Sequence, residues 1–344
     1  MTTRKGAIVA FGFGLLSGQR APDDPRSWED VYRESIDLTV ALETFGYDSV
    51  WTTEHHFVDD GYMPSLLVTS AALAAATTTI DIGTGVVLAP LHRPLRLAED
   101  AATVQLISNG RLILGLGLGW STTEFNALGV PMNKRGASMT EILQILPKAW
   151  TGEPFSWEGD VYTIPDLAVR PAPSTKIPVI VGGGVDAAVK RAVLYADGFF
   201  SNASPKRFAE QVAVAKEEME RIGRDPETFR WIYYAVMYPG PVDEIVDNVW
   251  HQIWKYSDME DSAARSGPIA ATPPLTDGWR ANLSRRILGG SGDEIVAALG
   301  DIRSAAGVPI EWVARSHFSD ISYARQVDIA GSLATEVLPH APTD

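Results

Sequence analysis

Residues 80–118 read IDIGTGVVLAPLHRPLRLAEDAATVQLISNGRLILGLGL and combine two strand patterns with one helix pattern. The apolar, β-rich runs Ile80–Leu88 and Arg111–Leu118 lie on either side of Leu95–Ile107, whose apolar residues recur at helical spacing. The sequence Ser108-Asn109-Gly110 then ends the predicted helix. This stretch therefore predicts a strand, a helix and a second strand in succession.

The same alternation continues in both directions along the chain, at about 40 residues per unit. The other predicted strands are Ala7–Phe13, Tyr47–Trp51, Pro178–Val181, Gly198–Ser201, Phe229–Met237 and Ile310–Ala314, and the other predicted helices are Trp28–Phe45, Pro64–Ala76, Met139–Trp150, Val185–Ala196, Pro205–Ile222, Val242–Tyr256, Asp293–Ala306 and Ile321–Leu338. Eight such units predict an α/β fold, a (β/α)8 TIM barrel that forms a single domain over residues 1–344. An open doubly wound sheet is the competing architecture, but no dinucleotide-binding fingerprint follows the first strand.

Two insertions interrupt the repeat, one after strand four and one after strand seven. Residues 151–173 are rich in glycine, proline and aromatic residues and predict a hairpin or loop. Residues 257–280 mix charged residues with glycine and proline and predict a mobile insertion. The preceding Trp250, Trp254 and Tyr256 either line a substrate mouth or pack against that insertion.

Composition excludes several classes of function. The chain has no cysteine, which rules out disulfides, thiolate nucleophiles, zinc–thiolate sites and iron–sulfur clusters. Its 29 basic and 43 acidic residues give a net charge of −14, which argues against nucleic-acid binding and against attraction to anionic lipid. Because no apolar run reaches the roughly 20 residues of a membrane span and no signal-peptide pattern is present, we expect a cytoplasmic protein.

The most reactive candidate group directly follows the second strand. Active sites of TIM barrels lie at the C-terminal ends of the strands, where Glu54-His55-His56 is expected. Histidine exchanges protons near neutral pH, so these three residues are candidate catalytic residues, although a hydrogen-bonded structural histidine remains the alternative. We predict no metal site, because adjacent histidines in an extended loop point in opposite directions.

Glycines after several strands predict where a cofactor lies. Gly83 and Gly85, at the end of strand three, either allow a flat ligand to approach or mark a bend of the barrel. The alternating glycines of strand four leave room for a ring system. Gly182-Gly183-Gly184-Val185 leads into a helix, where backbone N–H groups bind phosphate or simply form a tight turn. The candidate cofactor-binding residues are Gly12, Thr84, Gly85, Gly117, Gly119, Gly182, Gly183, Gly184 and Val185.

Longer motifs resemble the luciferase-like flavin monooxygenases over about residues 7–235 and again near Leu288–His317. They are Gly46-Tyr47-Asp48-Ser49-Val50-Trp51 with Glu54-His55-His56-Phe57, Ile82-Gly83-Thr84-Gly85 with His92-Arg93-Pro94 and Glu99-Asp100, Ser108-Asn109-Gly110-Arg111 with Gly115-Leu116-Gly117, and Val181–Gly184 with Ala196-Asp197-Gly198. The resemblance implies a homodimeric barrel that binds reduced flavin across its C-terminal mouth. It also implies that His55 is the catalytic histidine, supported by Glu54 and His56, and that Gly85–Val86 is a non-prolyl cis peptide.

The chain also departs from the luciferases proper. Gly117 and Leu118 occupy positions where those enzymes have a reactive cysteine and a phosphate-binding arginine, so light emission is not implied and we expect Gly182–Gly184 to hold the phosphate. In addition, Gly119-Trp120, Glu124-Phe125, Leu128-Gly129 and Arg135-Gly136 resemble the deazaflavin-using branch of the superfamily. We favour FMN, because the Glu-His-His-Phe element is commoner on the flavin side.

The resemblance implies three functional hypotheses. The first is a monooxygenase that uses O2 and reduced FMN, supplied by a separate NAD(P)H-dependent flavin reductase, to oxygenate a small organic substrate. The second is a deazaflavin-dependent hydride-transfer oxidoreductase, in which His55 acts as acid or base. The third is a flavin-binding barrel without catalysis, against which the intact Glu54-His55-His56 argues.

Overall fold

A closed barrel of parallel strands forms the centre of the structure, which is a computed structural model describing residues 10–342. The strands are β1 (Phe11–Leu16), β2 (Ser49–Thr52), β3 (Asp81–Thr84), β4 (Val87–Leu88), β5 (Leu112–Gly117), β6 (Phe155–Glu158), β7 (Thr163–Leu167), β8 (Val179–Gly182), β9 (Gly198–Ser201), β10 (Arg230–Pro239), β11 (Ile287–Gly290) and β12 (Glu311–Arg315). The barrel order is β1-β2-β3-β5-β8-β9-β10-β12, and pairing of β12 with β1 closes it. The predicted (β/α)8 TIM barrel is confirmed.

Helices surround this barrel and follow its strands. They are α1 (Trp28–Phe45), α2 (Leu66–Ala76), α3 (Pro94–Ile107), α4 (Thr122–Ala127), α5 (Arg135–Ala149), α6 (Asp186–Tyr195), α7 (Pro205–Ile222), α8 (Val246–Ser262), α9 (Asp277–Ser284), α10 (Gly292–Ala306) and α11 (Tyr323–Glu336). Within residues 10–342, no helix is long and apolar enough to cross a membrane.

Local sequence sets the ends of these helices and the faces that they bury. Helix α1 begins at a capping box, in which the Ser27 side chain accepts from the Asp30 N–H and the Asp30 carboxylate accepts from the Ser27 N–H. It ends at Gly46, whose left-handed backbone suits glycine. In α7, Phe208, Val212 and other apolar residues at helical spacing are buried against the barrel, while charged residues face outward.

Side chains fill the interior of the barrel, so the centre is a packed core. One interior cluster contains Leu15, Trp51, Ile113, Ile180, Phe200, Ile232 and Val313, contributed by seven different strands. The Trp51 indole fits there because Gly12 and Gly83 lack side chains, which would collide with it. The structure thus gives Gly12 a packing role, and its predicted contact with a cofactor stays a prediction.

Several predicted boundaries were wrong, for local reasons. The predicted strand Ile80–Leu88 is split into β3 and β4 at the Gly85–Val86 peptide. This peptide is cis, as the resemblance implied, so that prediction is confirmed. Residues 7–9 of the first predicted strand lie outside the described residues. The predicted hairpin within residues 151–173 is confirmed as the antiparallel pair β6 and β7.

The second insertion contains more regular structure than its composition indicated. Helix α8 extends to Ser262, and α9 and β11 follow residues 263–276. A buried ion cluster ties this region to the loop after β2: the Lys255 ammonium lies 2.5 Å from the Asp59 carboxylate, and Arg265 pairs with Asp59 and Asp258. The composition of the insertion could not indicate these contacts, because Asp59 lies about 200 residues before Lys255 and Arg265 in the chain. The predicted mobility of residues 257–280 stays a prediction.

Candidate active site

His55 lies at the C-terminal mouth of the barrel, where a carboxylate from a different strand unit fixes its ring. Its Nδ1 is 3.0 Å from Glu124 Oε1, and the same oxygen accepts from the His56 backbone N–H at 2.7 Å. Glu124 lies on α4, whose first turn is capped by the Ser121 side chain. Both side chains are buried, with 6% of His55 and 1% of Glu124 exposed. Among the described residues nothing hydrogen-bonds His55 Nε2, which leaves this atom available for proton transfer.

Glu54 and His56 form a second group beside this pair. The Glu54 carboxylate accepts from the Leu88 N–H at 2.7 Å and lies 3.3 Å from His92 Nε2 and 3.9 Å from His56 Nε2. Burial lowers the pKa of His56, although the Glu54 and Glu124 charges oppose this change. Burial also lowers the pKa of His92, but the hydrogen bond and charge of Glu54 outweigh it, so that this pKa is raised.

Aromatic side chains surround the His55 ring. The ring centroid of Tyr62 lies 4.9 Å from that of His55, Tyr256 lies 5.4 Å away and Trp120 lies 6.0 Å away. The Tyr62 and Tyr256 hydroxyls are 3.0 Å apart, and burial raises the pKa of Tyr62 well above its usual range. The sequence left two roles open for Trp250, Trp254 and Tyr256, either lining the mouth or packing against the insertion. Tyr256 lies at the mouth, whereas Trp250 packs against Trp279.

The glycines after strands three and four make room for neighbouring backbone. A side chain at Gly115 would collide with the Thr84 carbonyl, and one at Gly117 would collide with Val86. The Thr84 hydroxyl donates to the Gly115 carbonyl at 2.8 Å and accepts from the Gly115 N–H at 2.7 Å. Thr84–Val86 therefore lie beside this face of the fourth barrel strand, and the room expected there for a ring system stays a prediction. The predicted cofactor contacts of Thr84, Gly85 and Gly117 stay predictions.

Other glycines stand at exposed turns around the mouth. Gly119 has a φ of +72°, a left-handed conformation that favours glycine just before Trp120. Gly183, Gly184 and Val185 are exposed between β8 and α6, and a side chain at Gly184 would meet open space. In the described chain, no acceptor is present for the Gly184 and Val185 N–H groups. These features fit a phosphate at the N-terminus of α6, where N–H groups and helix dipole favour an anion.

The most important residue that sequence reasoning left without a role is Glu124. Its signal was present, because Glu124-Phe125 belongs to the run that resembles the deazaflavin branch, but pairing with His55 depends on how α4 lies against the loop after β2. His92 was likewise quoted without a role, and it contacts Glu54. Across residues 10–342, no group of three or more His, Asp or Glu side chains could hold a metal ion.

Fold and site together define a (β/α)8 barrel with a buried histidine–carboxylate pair at its C-terminal mouth. Residues 9–313 match the family model described as luciferase-like monooxygenase, and the chain belongs to this family. This membership supports an oxidoreductase, and the family includes both FMN-dependent monooxygenases and F420-dependent oxidoreductases.

An F420-dependent enzyme is among the curated relatives. The F420-dependent glucose-6-phosphate dehydrogenase of Amycolatopsis mediterranei (strain U-32) is 32% identical over 175 residues, or 48% of this chain and 52% of that protein. The chain spans about half the length of the first curated relatives that it matches.

Solved structures extend the fold comparison to nearly the whole chain. The monooxygenase RslO1 from Streptomyces bottropensis superposes with a TM-score of 0.81 at 23% identity, covering 96% of this chain and 99% of that one. The oxygenating constituent of 3,6-diketocamphane monooxygenase from Pseudomonas putida, in complex with FMN, gives a TM-score of 0.74 at 20% identity, covering 97% and 99%. At these identities, the likeness establishes the fold.

Proposed function

We propose that this protein is a flavin-dependent monooxygenase that uses reduced FMN and O2 to oxygenate a small organic substrate. The observation that carries the proposal is the buried His55–Glu124 pair, with His55 Nε2 free at the barrel mouth. Reduced FMN, when bound, would supply the electrons with which oxygen is activated. The protein's own residues would then have to move protons and exclude water.

His55 performs the proton transfer in this proposal. Glu124 accepts from Nδ1–H, so that Nε2 is the nitrogen that takes or gives a proton, and it fixes the ring in one orientation. Tyr62, Tyr256 and Trp120 cover the ring and limit the access of water, which protects reactive species from side reactions. Glu54, linked to His56 and His92, supports the neighbouring loop.

The residues present fit FMN in two respects. The free N–H groups of Gly184 and Val185 at the start of α6 would hold its phosphate. Arg207 lies beside this turn, where its guanidinium donates to the Gly184 carbonyl at 3.3 Å and pairs with Asp186. The proposal includes a separate NAD(P)H-dependent flavin reductase as the source of reduced FMN.

The test is a paired anaerobic titration of the purified protein with reduced FMN and with reduced F420, a deazaflavin coenzyme, followed by admission of oxygen. The proposal predicts saturable binding of FMN and protein-dependent oxygen consumption. A Gly184→Trp variant would weaken FMN binding, while Gly300→Ala, inside α10 where an added Cβ would meet nothing within 4 Å, serves as a control. Binding of F420 alone, with indifference to oxygen, would contradict the proposal.

A second candidate is a deazaflavin-dependent hydride-transfer oxidoreductase, in which His55 takes up or supplies the substrate proton. Two observations favour it: the 32% identity to an F420-dependent dehydrogenase, and the role of Glu124 within the run that resembles the deazaflavin branch. The same titration separates the two candidates, since F420-dependent hydride transfer does not consume oxygen.

We also propose that the protein is a cytoplasmic homodimer. Neighbouring helices α1, α2 and α3 expose apolar side chains, among them Val40 at 39%, Val68 at 74% and Ile107 at 46%. Apolar surface on adjacent elements is typical of a subunit interface. Light scattering after gel filtration should give twice the chain mass for the wild type. Val68→Asp should reduce the measured mass to that of one chain. A monomeric wild-type protein would refute this point.

A further inference from the structure

A cavity of about 490 Å³ lies beside the barrel mouth. By the order of the strands, it is on the side of the barrel opposite to Glu54 and Glu124. Residues after β9, within β10 and at the end of β12 line it, together with residues of α8 and α10 and the segment that joins α9 to β11. Among its described lining residues are three arginines, Arg285, Arg286 and Arg315, and neither Asp nor Glu. In a chain of net charge −14, such a concentration of one sign of charge is unusual.

None of these arginines is paired with a carboxylate within the part of the chain that the structure describes. Ion pairs occupy other arginines, such as Arg265 with Asp258 and Arg280 with Asp247. Arg285 and Arg286 are exposed, whereas Arg315 is half-buried at the end of the last barrel strand. Burying a guanidinium without a counter-charge costs free energy of desolvation, and a bound anionic ligand offsets this cost.

Tyrosines surround Arg315 and connect it to the catalytic histidine. The guanidinium carbon lies 5.9 Å from the ring centroid of Tyr256, and that centroid lies 5.4 Å from the centroid of His55. Burial lowers the pKa of Arg315, but the hydroxyls of Tyr256, Tyr234 and Tyr62 outweigh this effect and the pKa is raised. Arg315 therefore stays charged, with one aromatic ring between it and the site of proton transfer.

We propose that this cavity binds an anionic group of the substrate, a carboxylate or a phosphate, with Arg315 as its inner contact and Arg285 and Arg286 at its outer edge. Guanidinium groups bind both anions through paired N–H donors, which also fixes the orientation of the ligand. The assignment rests on the proposed function in one respect, namely that the substrate is transformed beside His55. It deepens that function by naming the substrate class.

The test needs neither coenzyme nor turnover. Inorganic phosphate and acetate are titrated separately into the full-length protein by isothermal titration calorimetry. We expect one of them to bind at millimolar concentration, with Arg315→Gln weakening binding by about tenfold or more and Arg315→Lys by less. Arg285→Gln and Arg286→Gln should each weaken it by about two- to fivefold because they are exposed. Arg280→Gln, whose arginine is paired with Asp247, is the matched control and should leave it unchanged.

The outcomes distinguish the sources of the anion. Preference for phosphate indicates a phosphorylated substrate, and preference for acetate indicates a carboxylic acid. Absence of binding, or equal binding by the wild type and by the exposed variants Arg285→Gln and Arg286→Gln, overturns the proposal even if Arg315→Gln does not fold. Repeating the titration with FMN present should give the same affinity, and displacement by FMN would assign the cavity to the coenzyme phosphate instead. If FMN fails to bind anywhere, the proposed function fails while the anion result stands.

Discussion

The two sides of the barrel mouth differ in how their charges are balanced. After β2, β3 and β5, each histidine of the site lies near a carboxylate: His55 near Glu124, and His56 and His92 near Glu54. On the side of β9, β10 and β12, the cavity has arginines and no carboxylate among its described lining residues. Charges with partners hold a ring in place and tune its protonation, whereas charges without partners are available to a ligand. The difference indicates proton transfer on one side and recognition of charge on the other.

The largest expected effect comes from removing the proton-transfer group. His55→Asn should lower protein-dependent oxygen consumption with reduced FMN by about 10²- to 10⁴-fold, the usual contribution of a general acid–base group. FMN affinity, measured in the same samples, should change little. His340→Asn, at an exposed position, is the control. Unchanged turnover in His55→Asn would show that His55 is not the proton-transfer group.

Glu124→Gln should have a smaller effect in the same assay, about 10- to 100-fold, because His55 remains but loses a charge-assisted hydrogen bond. The amide preserves the shape of the carboxylate, so that the change isolates its charge. FMN affinity should stay unchanged, because Glu124 acts through the His55 ring, which its carboxylate holds at 3.0 Å. Turnover identical to that of the wild type would show that Glu124 does not act on His55.

On the arginine side, a buried histidine should make the protein sensitive to acid. Burial lowers the pKa of His317 to about 4, and Arg26 adds to this effect. The unfolded chain, with an ordinary histidine pKa, binds more protons below about pH 6.5, so the free energy of unfolding falls as the pH drops from 6.5 towards 4. His317 should contribute a loss of about 2 kcal/mol between pH 7 and pH 5. Urea unfolding of wild type and His317→Gln at both pH values measures it, and equal losses in the two proteins would refute it.

The smallest expected effect has the opposite sign and lies on the carboxylate side. Because the pKa of His92 is raised, its pairing with Glu54 stabilises the fold fully below the unfolded-state pKa, and this contribution is lost as pH rises through the folded-state pKa. His92→Gln should therefore lose stability relative to wild type at pH 6 and less at pH 9, as measured by urea unfolding. A difference that does not depend on pH would contradict the pairing.

The fold was largely predictable from the sequence, since strand and helix periodicities repeat in order and each barrel strand carries its own apolar signal. The position of His55 was predictable for the same reason: it directly follows a strand. Its partner was not, because α4 has only six residues and its Glu124 contributes through long-range packing. Strand β11 has four residues, two of them glycine, and has no clear strand pattern. The arginine cavity brings together residues from Asn202 to Arg315, a separation that no local motif records.

The most direct test of the central claim is to ask whether the coenzyme binds at the mouth that contains His55. The chain has six histidines, so their ring nitrogens can be resolved by NMR after isotope labelling, with His55→Asn assigning the relevant signals. We expect neutral His55 to be protonated on Nδ1, and we expect its Nε2 signal to shift on addition of FMN while that of His340 does not. Saturation with FMN that leaves the His55 signals unchanged would place the coenzyme elsewhere and contradict the account.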